Sequence, residues 1–129
     1  MNIVPITVWR EARNQGAAGM EAVTWVIYNR AASGPWPSNP EKVCLQAYQF
    51  SCWNTHDPQR DLWPEVGDKE YVLAADLWFQ MKEKIAQGAA DPTGGATFYC
   101  NPATCHSPFE NSTYVCTAVI GSHHFYKHA

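Results

Sequence analysis

Several things are missing from this chain of 129 residues, and each absence removes a class of function. No apolar run approaches the roughly 18 residues of a membrane span, so no stable membrane association is expected. No block of like charge occurs. The basic residues Arg10, Arg13, Arg30, Lys42, Arg60, Lys69, Lys82, Lys84 and Lys127 are scattered, and the net charge is −3. A basic stripe is the electrostatic footprint of a nucleic-acid binder, so nucleic acid is excluded as the expected partner. The start, "MNIVPITVWREARNQG", lacks a basic segment ahead of a long apolar one. It reads as no signal peptide and predicts a protein that is cytoplasmic as synthesised. Repeats, low-complexity segments and linkers are absent too, and the length suits one domain, residues 1–129.

Aromatic residues, by contrast, are plentiful: 6 Trp, 6 Tyr and 5 Phe. That exceeds what so small a core needs, and some are expected to line a cleft, where ring faces stack on sugars or bases. The five cysteines, Cys44, Cys52, Cys100, Cys105 and Cys116, make an odd count. Three readings stand side by side: buried small hydrophobes, local disulfides such as Cys44–Cys52 or Cys100–Cys105, and a metal site. The third would draw on "CNPATCH", Cys116 and the pair His123–His124, at spacings that match no standard zinc knuckle. We expect no metal and no cofactor.

Along the chain, Val4, Val8 and Ala12 recur on one side of a helix from Ile3 to about Asn14, stopped by "NQG". Met20 to Ala32 reads as a second helix burying Val23, Val26 and Ile27. "SGPWPSNP" is a loop, and Asn39 caps a short helix entered through Pro40. Tyr48 to Gly67 reads as a long irregular loop, and long ordered loops tend to be functional. Asp68 caps a third helix through Gln87, with Leu73, Leu77, Met81 and Ile85 on its buried face and Val72 and Phe79 widening it. After the turn "DPTGG", the stretches "ATFYC", "TYVCTAVIG" and "HHFYK" predict two or three strands of a small antiparallel sheet. Helices followed by strands make an α+β domain, mainly helical.

Glu11 stands at the end of the first helix between Arg10 and Arg13. Such a glutamate is either a solvated surface pair or a partly desolvated acid beside a cleft. In the second case desolvation lifts its pKa from about 4, so that it holds a proton near neutral pH and can protonate a glycosidic oxygen. A partner carboxylate would come from Asp57 or Asp61 in "NTHDPQRD", which otherwise read as turn or salt-bridge residues. Glu21, at the start of the second helix, is expected to complement the helix dipole. If "QFS" is extended, Gln49 and Ser51 share one face and Phe50 points the other way. Trp53 is either a sugar platform or an anchor for its loop. Asn29 and Arg30 are expected to hold the end of the second helix and the nearby loop.

"WREARNQGAAGMEAVTWVIYNR", "YQFSCWN", "DPTGGATFYCNP" and "IGSHHFYK" together resemble, in order, the blocks of the spore cortex-lytic enzyme and cell wall hydrolase family of SleB type. The resemblance runs from about Ile3 to Lys127. It implies a lysozyme-like fold and cleavage of peptidoglycan glycan strands between N-acetylmuramic acid and N-acetylglucosamine by lytic transglycosylation. It places the catalytic glutamate at Glu11 and implies substrate contacts at Gln49, Ser51, Trp53, Tyr99, Asn101 and His124. Tyr99 either orients Glu11, or stabilises charge developing near the anomeric centre, or is simply a half-buried strand tyrosine. The implied partner is the glycan strand, and a monomer is expected. Family members that act on spores carry export signals and often a wall-binding domain; the departure from that pattern fits a stand-alone lysis enzyme that reaches the wall after release, such as a phage endolysin, with a bacterial housekeeping or prophage-remnant enzyme as the competing reading. The rivals are a muramidase assisted by Asp57 or Asp61, and a non-catalytic wall-binding module.

Overall fold

The computed structural model describes residues 2–46, 49–103 and 113–129. Among them, five α-helices precede three β-strands. Helix α1 (Ile3–Ala12) is buried on nearly every side, including Pro5, Thr7 and Arg10, rather than along the single stripe the sequence predicted. A helix buried on nearly every side belongs at the centre of a fold, and α1 packs against α2 (Gly16–Ala31), α3 (Pro40–Leu45) and α4 (Lys69–Phe79). Pro5 falls in its first turn, where no helical N–H is required.

"NQG" does end α1, but α2 resumes at Gly16 instead of Met20. Gly16 takes φ +76°, a left-handed conformation open to a residue without Cβ, and this makes the reversal tight. The alanines that follow are strong helix formers and carry α2 from there. Glu21 therefore sits beyond the first turn. It forms an ion pair at 3.2 Å with Lys84 of α5 (Met81–Ala86) in place of the expected dipole role.

Asn39 caps α3 as expected, its side-chain oxygen accepting from the N–H groups of Glu41 and Lys42. Asp68 caps α4 by accepting from Tyr71 N–H at 3.0 Å. The predicted third helix is broken in two at Gln80. Leu77 and Met81 are buried as expected, whereas Val72 and Phe79 are exposed. The long loop carries two single-turn 3-10 helices, Ser51–Trp53 and Pro58–Asp61, the second capped by Asp57.

The sheet is antiparallel, with β3 (His123–His128) between β1 (Phe98–Cys100) and β2 (Tyr114–Ile120). Tyr99 lies opposite Phe125, and Cys100 opposite His124. Two apolar clusters make the core. Val4, Val8, Trp9, Met20, Val23 and Phe50 belong to the helical one, and Ala22, Val26, Ala96 and Phe125 join α2 to the sheet. Tyr99 packs against both. Its hydroxyl is thereby delivered from the sheet to the end of α1.

Cys44 and Cys52 are buried free thiols, so they do not pair with each other. Cys116 is an exposed thiol. Cys100 is disulfide-bonded, which removes it from the metal-site reading; Cys105 and His106 of that reading lie outside the described residues. No helix among the described residues is long and apolar enough to cross a membrane.

Candidate active site

Glu11 occupies the last turn of α1, partly exposed. Its carboxyl is pushed up from 4.5 to about 7, first by desolvation and then by the negative charge of Asp57. The Arg30 guanidinium and a hydrogen bond from the Tyr99 hydroxyl oppose the rise without cancelling it. A carboxyl in this state is about half protonated at neutral pH and can both give and take a proton.

Arg30 is buried at the end of α2. Its Nε donates to the carbonyl of Thr97 at 2.6 Å, and its charge lies over the rings of Phe50, Trp36 and Phe98 at 5.0, 5.4 and 5.5 Å. It holds the chain just ahead of β1, as expected of a structural residue, and it also faces Glu11 and Tyr99, a role that the sequence reading missed. Asn29 donates to Asp91 at 2.8 Å and to the Ala96 carbonyl at 3.0 Å. Asp91 also accepts from Thr93 N–H, Thr93 Oγ1 and Gly95 N–H. This network fixes the "DPTGG" turn that leads into β1 and hence sets the position of Tyr99. Burial raises the Tyr99 hydroxyl pKa well above its ordinary value, so it remains a donor to Glu11.

The other predicted residues divide. Gln49 is exposed, and its Oε1 accepts from Arg30 at 3.5 Å, which puts the amide at the edge of this group. Phe50 turns into the core as expected. Ser51 opens a 3-10 turn, so the shared extended face predicted for Gln49 and Ser51 does not form. Trp53 donates from Nε1 to Thr7 Oγ1 at 2.8 Å, and Arg10 lies over its ring at 4.4 Å. That ring face is closed to a sugar, and the contacts are those of an anchor. Asn101 Oδ1 accepts from Ala103 N–H at 3.0 Å, a local turn bond just after β1.

His124 does not share the face of Tyr99. Tyr99 pairs with Phe125, and successive strand residues alternate faces, so His123 joins Tyr99 and Phe125 while His124 turns to the other side. The rings of His123 and Tyr99 lie 5.0 Å apart. The alternation was visible in "HHFYK", but which histidine shares the face of Tyr99 depends on the register against β1.

Arg10 is buried between Trp53 and Trp63, at 4.4 and 4.5 Å, and donates to the Leu62 carbonyl at 3.0 Å. Part of the aromatic surplus therefore pins the loop to α1 through a cation instead of lining a cleft. Asp57 in that loop is half-buried; its Oδ1 accepts from Gln59 N–H at 2.8 Å while its charge reaches Glu11. Asp61 is exposed, and its charge bears on Arg10. A separate hollow of about 580 Å³, lined by Tyr28, Pro40, Trp78, Phe79 and Met81 among others, touches none of the predicted site residues.

The family described as Cell Wall Hydrolase matches residues 14–126. The chain belongs to that family. The matched stretch begins just after Glu11. A spore cortex-lytic enzyme of Halalkalibacterium halodurans is 31% identical over 100 residues, 78% of this chain and 26% of the relative. One from Bacillus cereus is 33% identical over 101 residues, 78% of this chain and 34% of the relative. The chain thus spans about a quarter to a third of those proteins. Among solved structures, the catalytic domain of the germination-specific lytic transglycosylase SleB from Bacillus anthracis superposes with a TM-score of 0.70 at 28% identity, over 97% of this chain and 91% of that one. The Bacillus cereus SleB catalytic domain gives the same TM-score and identity over 97% and 87%. The helical fold with its three-stranded sheet is that of the SleB catalytic domain.

Proposed function

We propose that this member of the cell wall hydrolase family cleaves peptidoglycan glycan strands as a lytic transglycosylase, with Glu11 as acid and then base. The observation that carries the reading is the carboxyl held at about 7 beside a tyrosine donor. Protonated, Glu11 gives its proton to the oxygen bridging N-acetylmuramic acid and N-acetylglucosamine, and the bond to the muramic anomeric carbon breaks. Positive charge on that sugar is met by the carboxylate now formed, which Tyr99 and Arg30 stabilise. The carboxylate then takes the proton of the same sugar's 6-hydroxyl, and the 6-oxygen closes a 1,6-anhydro ring. The proton returns to Glu11 and no water is consumed. Membership in the family and the likeness to SleB support the substrate; the single carboxyl poised between protonation states supports the chemistry.

Asp57 favours a second reading. Its charge reaches Glu11, and a muramidase needs a second carboxylate to position or activate water. The products separate the two. Purified peptidoglycan is digested with the wild-type protein and with Glu11→Gln, and the fragments are weighed by mass spectrometry. Fragments one water lighter than reducing-end products, absent with the variant, are the expected result. Reducing muramic ends would assign a muramidase, and full activity in Glu11→Gln would remove Glu11 from the chemistry.

A further inference from the structure

The hollow of about 580 Å³ formed by α2, α3, α4 and α5 has no part in the mechanism above. Three aromatic residues line it: Tyr28, Trp78 and Phe79. Tyr28 and Trp78 are half-buried, and Phe79, the last residue of α4, is 62% exposed. An exposed phenyl ring beside two half-buried ones makes an apolar patch that the packing of this chain does not use. The α3 side of the hollow is polar. Ser38 and Asn39 are exposed there, and Asn39 Oδ1 accepts from the N–H groups of Glu41 and Lys42 at 2.9 and 3.2 Å. These bonds fix the side chain and leave its NH2 group as a donor. The Glu41 carboxylate and the Lys82 ammonium add an acceptor and a donor and, being opposite in sign, leave the lining without net charge.

That lining selects among occupants. A phosphate-bearing polymer or an anionic lipid calls for a surplus of positive charge. A partner helix calls for a long apolar groove, whereas a hollow of this volume has the size of a small-molecule site. A pyranose ring offers an apolar C–H face to the aromatic side, and its hydroxyl and acetamido groups offer donors and acceptors to the polar side. We infer that the hollow is a second glycan-binding site, separate from the group around Glu11, in which an N-acetylated sugar of the peptidoglycan strand stacks on Trp78 and Phe79 and hydrogen-bonds Asn39 and Lys82. This rests on the reading of the chain as a glycan-cleaving enzyme. The site holds the strand and takes no part in breaking its bonds.

The test uses the full chain carrying Glu11→Gln, isotope-labelled and titrated with short glycan fragments freed of their stem peptides, while its amide NMR signals are followed. Signals of residues 28–32, 38–41 and 78–82 are expected to shift together, with one dissociation constant. Phe79→Ser in the same background removes a ring from a solvent-facing position, so the rest of the spectrum should stay in place. It is expected to weaken the binding read from those signals roughly three- to tenfold. Equal affinity in Phe79→Ser removes the stacked ring and with it the inference. Shifts around Glu11 with none at the hollow overturn the inference and leave the role of Glu11 standing. Shifts at the hollow with stem peptides alone would give it to a peptide, and shifts that follow protein concentration instead of sugar would give it to a second copy of the chain; either overturns the inference. No glycan-dependent shift anywhere overturns both readings.

Discussion

Replacing Glu11 by Gln should alter stability in a manner that depends on pH, and the dependence measures the property the mechanism needs. The folded carboxyl titrates at about 7 and the unfolded one at 4.5. Below 4.5 both states are protonated and Glu11 adds no pH-dependent cost. Between 4.5 and about 7 the unfolded chain releases the proton while the folded protein keeps it, so wild-type stability falls as pH rises. Above about 7 the loss is complete. A gap of roughly 2.5 units at 1.36 kcal/mol each gives about 3 kcal/mol, an upper value because part of the side chain reaches solvent. Glutamine does not titrate. Its variant should therefore gain on wild type by up to about 3 kcal/mol between pH 4.5 and 8, on the order of 10 °C in Tm. Urea denaturation of both proteins at half-unit pH steps reads this directly, since every other titrating group is common to the two and cancels in the difference. A stability gap that stays constant across the window would show Glu11 ionising at its ordinary pKa, and the acid assigned to the mechanism would be lost.

Asp91→Ala removes the acceptor of four hydrogen bonds at the turn before β1. It should cost roughly 2–4 kcal/mol in urea unfolding and lower activity through misplacement of Tyr99; a loss under 0.5 kcal/mol would show the turn to be held by other contacts. Burial pushes the Cys44 thiol up to about 12 and raises that of Cys52 as well, whereas Cys116 is exposed. Iodoacetamide at neutral pH should therefore label Cys116 in the native protein and spare Cys44 and Cys52 until it unfolds, as peptide mass mapping would show. Early labelling of the buried pair would contradict the core that surrounds them.

Much of the architecture follows from local chemistry along the chain. Asn39 ahead of Pro40 and Asp68 ahead of a periodic apolar run cap helices because a short side-chain oxygen satisfies N–H groups that the helix leaves open. The change from fourfold spacing to β-branched and aromatic runs after "DPTGG" marks the start of the sheet for the same local reason. The position of Glu11 at the end of α1 could be read in the sequence; its elevated pKa could not. That value depends on desolvation and on Asp57, Arg30 and Tyr99, which are brought together from a 3-10 turn, a helix end and a strand distant in sequence.

Where the reading and the structure part, a tertiary contact decided. Trp53 had two local possibilities, and Arg10 stacked on one face of its ring together with the bond to Thr7 gives it the contacts of an anchor. Strand alternation places His123 and His124 on opposite faces whatever the fold, but only the pairing of Tyr99 with Phe125 sets His123 on the face of Tyr99. The sequence by itself determined the caps of α3 and α4, the change from helices to strands and the candidate carboxyl, because these depend on neighbours a few residues away. The tertiary structure alone decided which side chains surround that carboxyl, and the proton affinity of a buried group is a property of those surroundings.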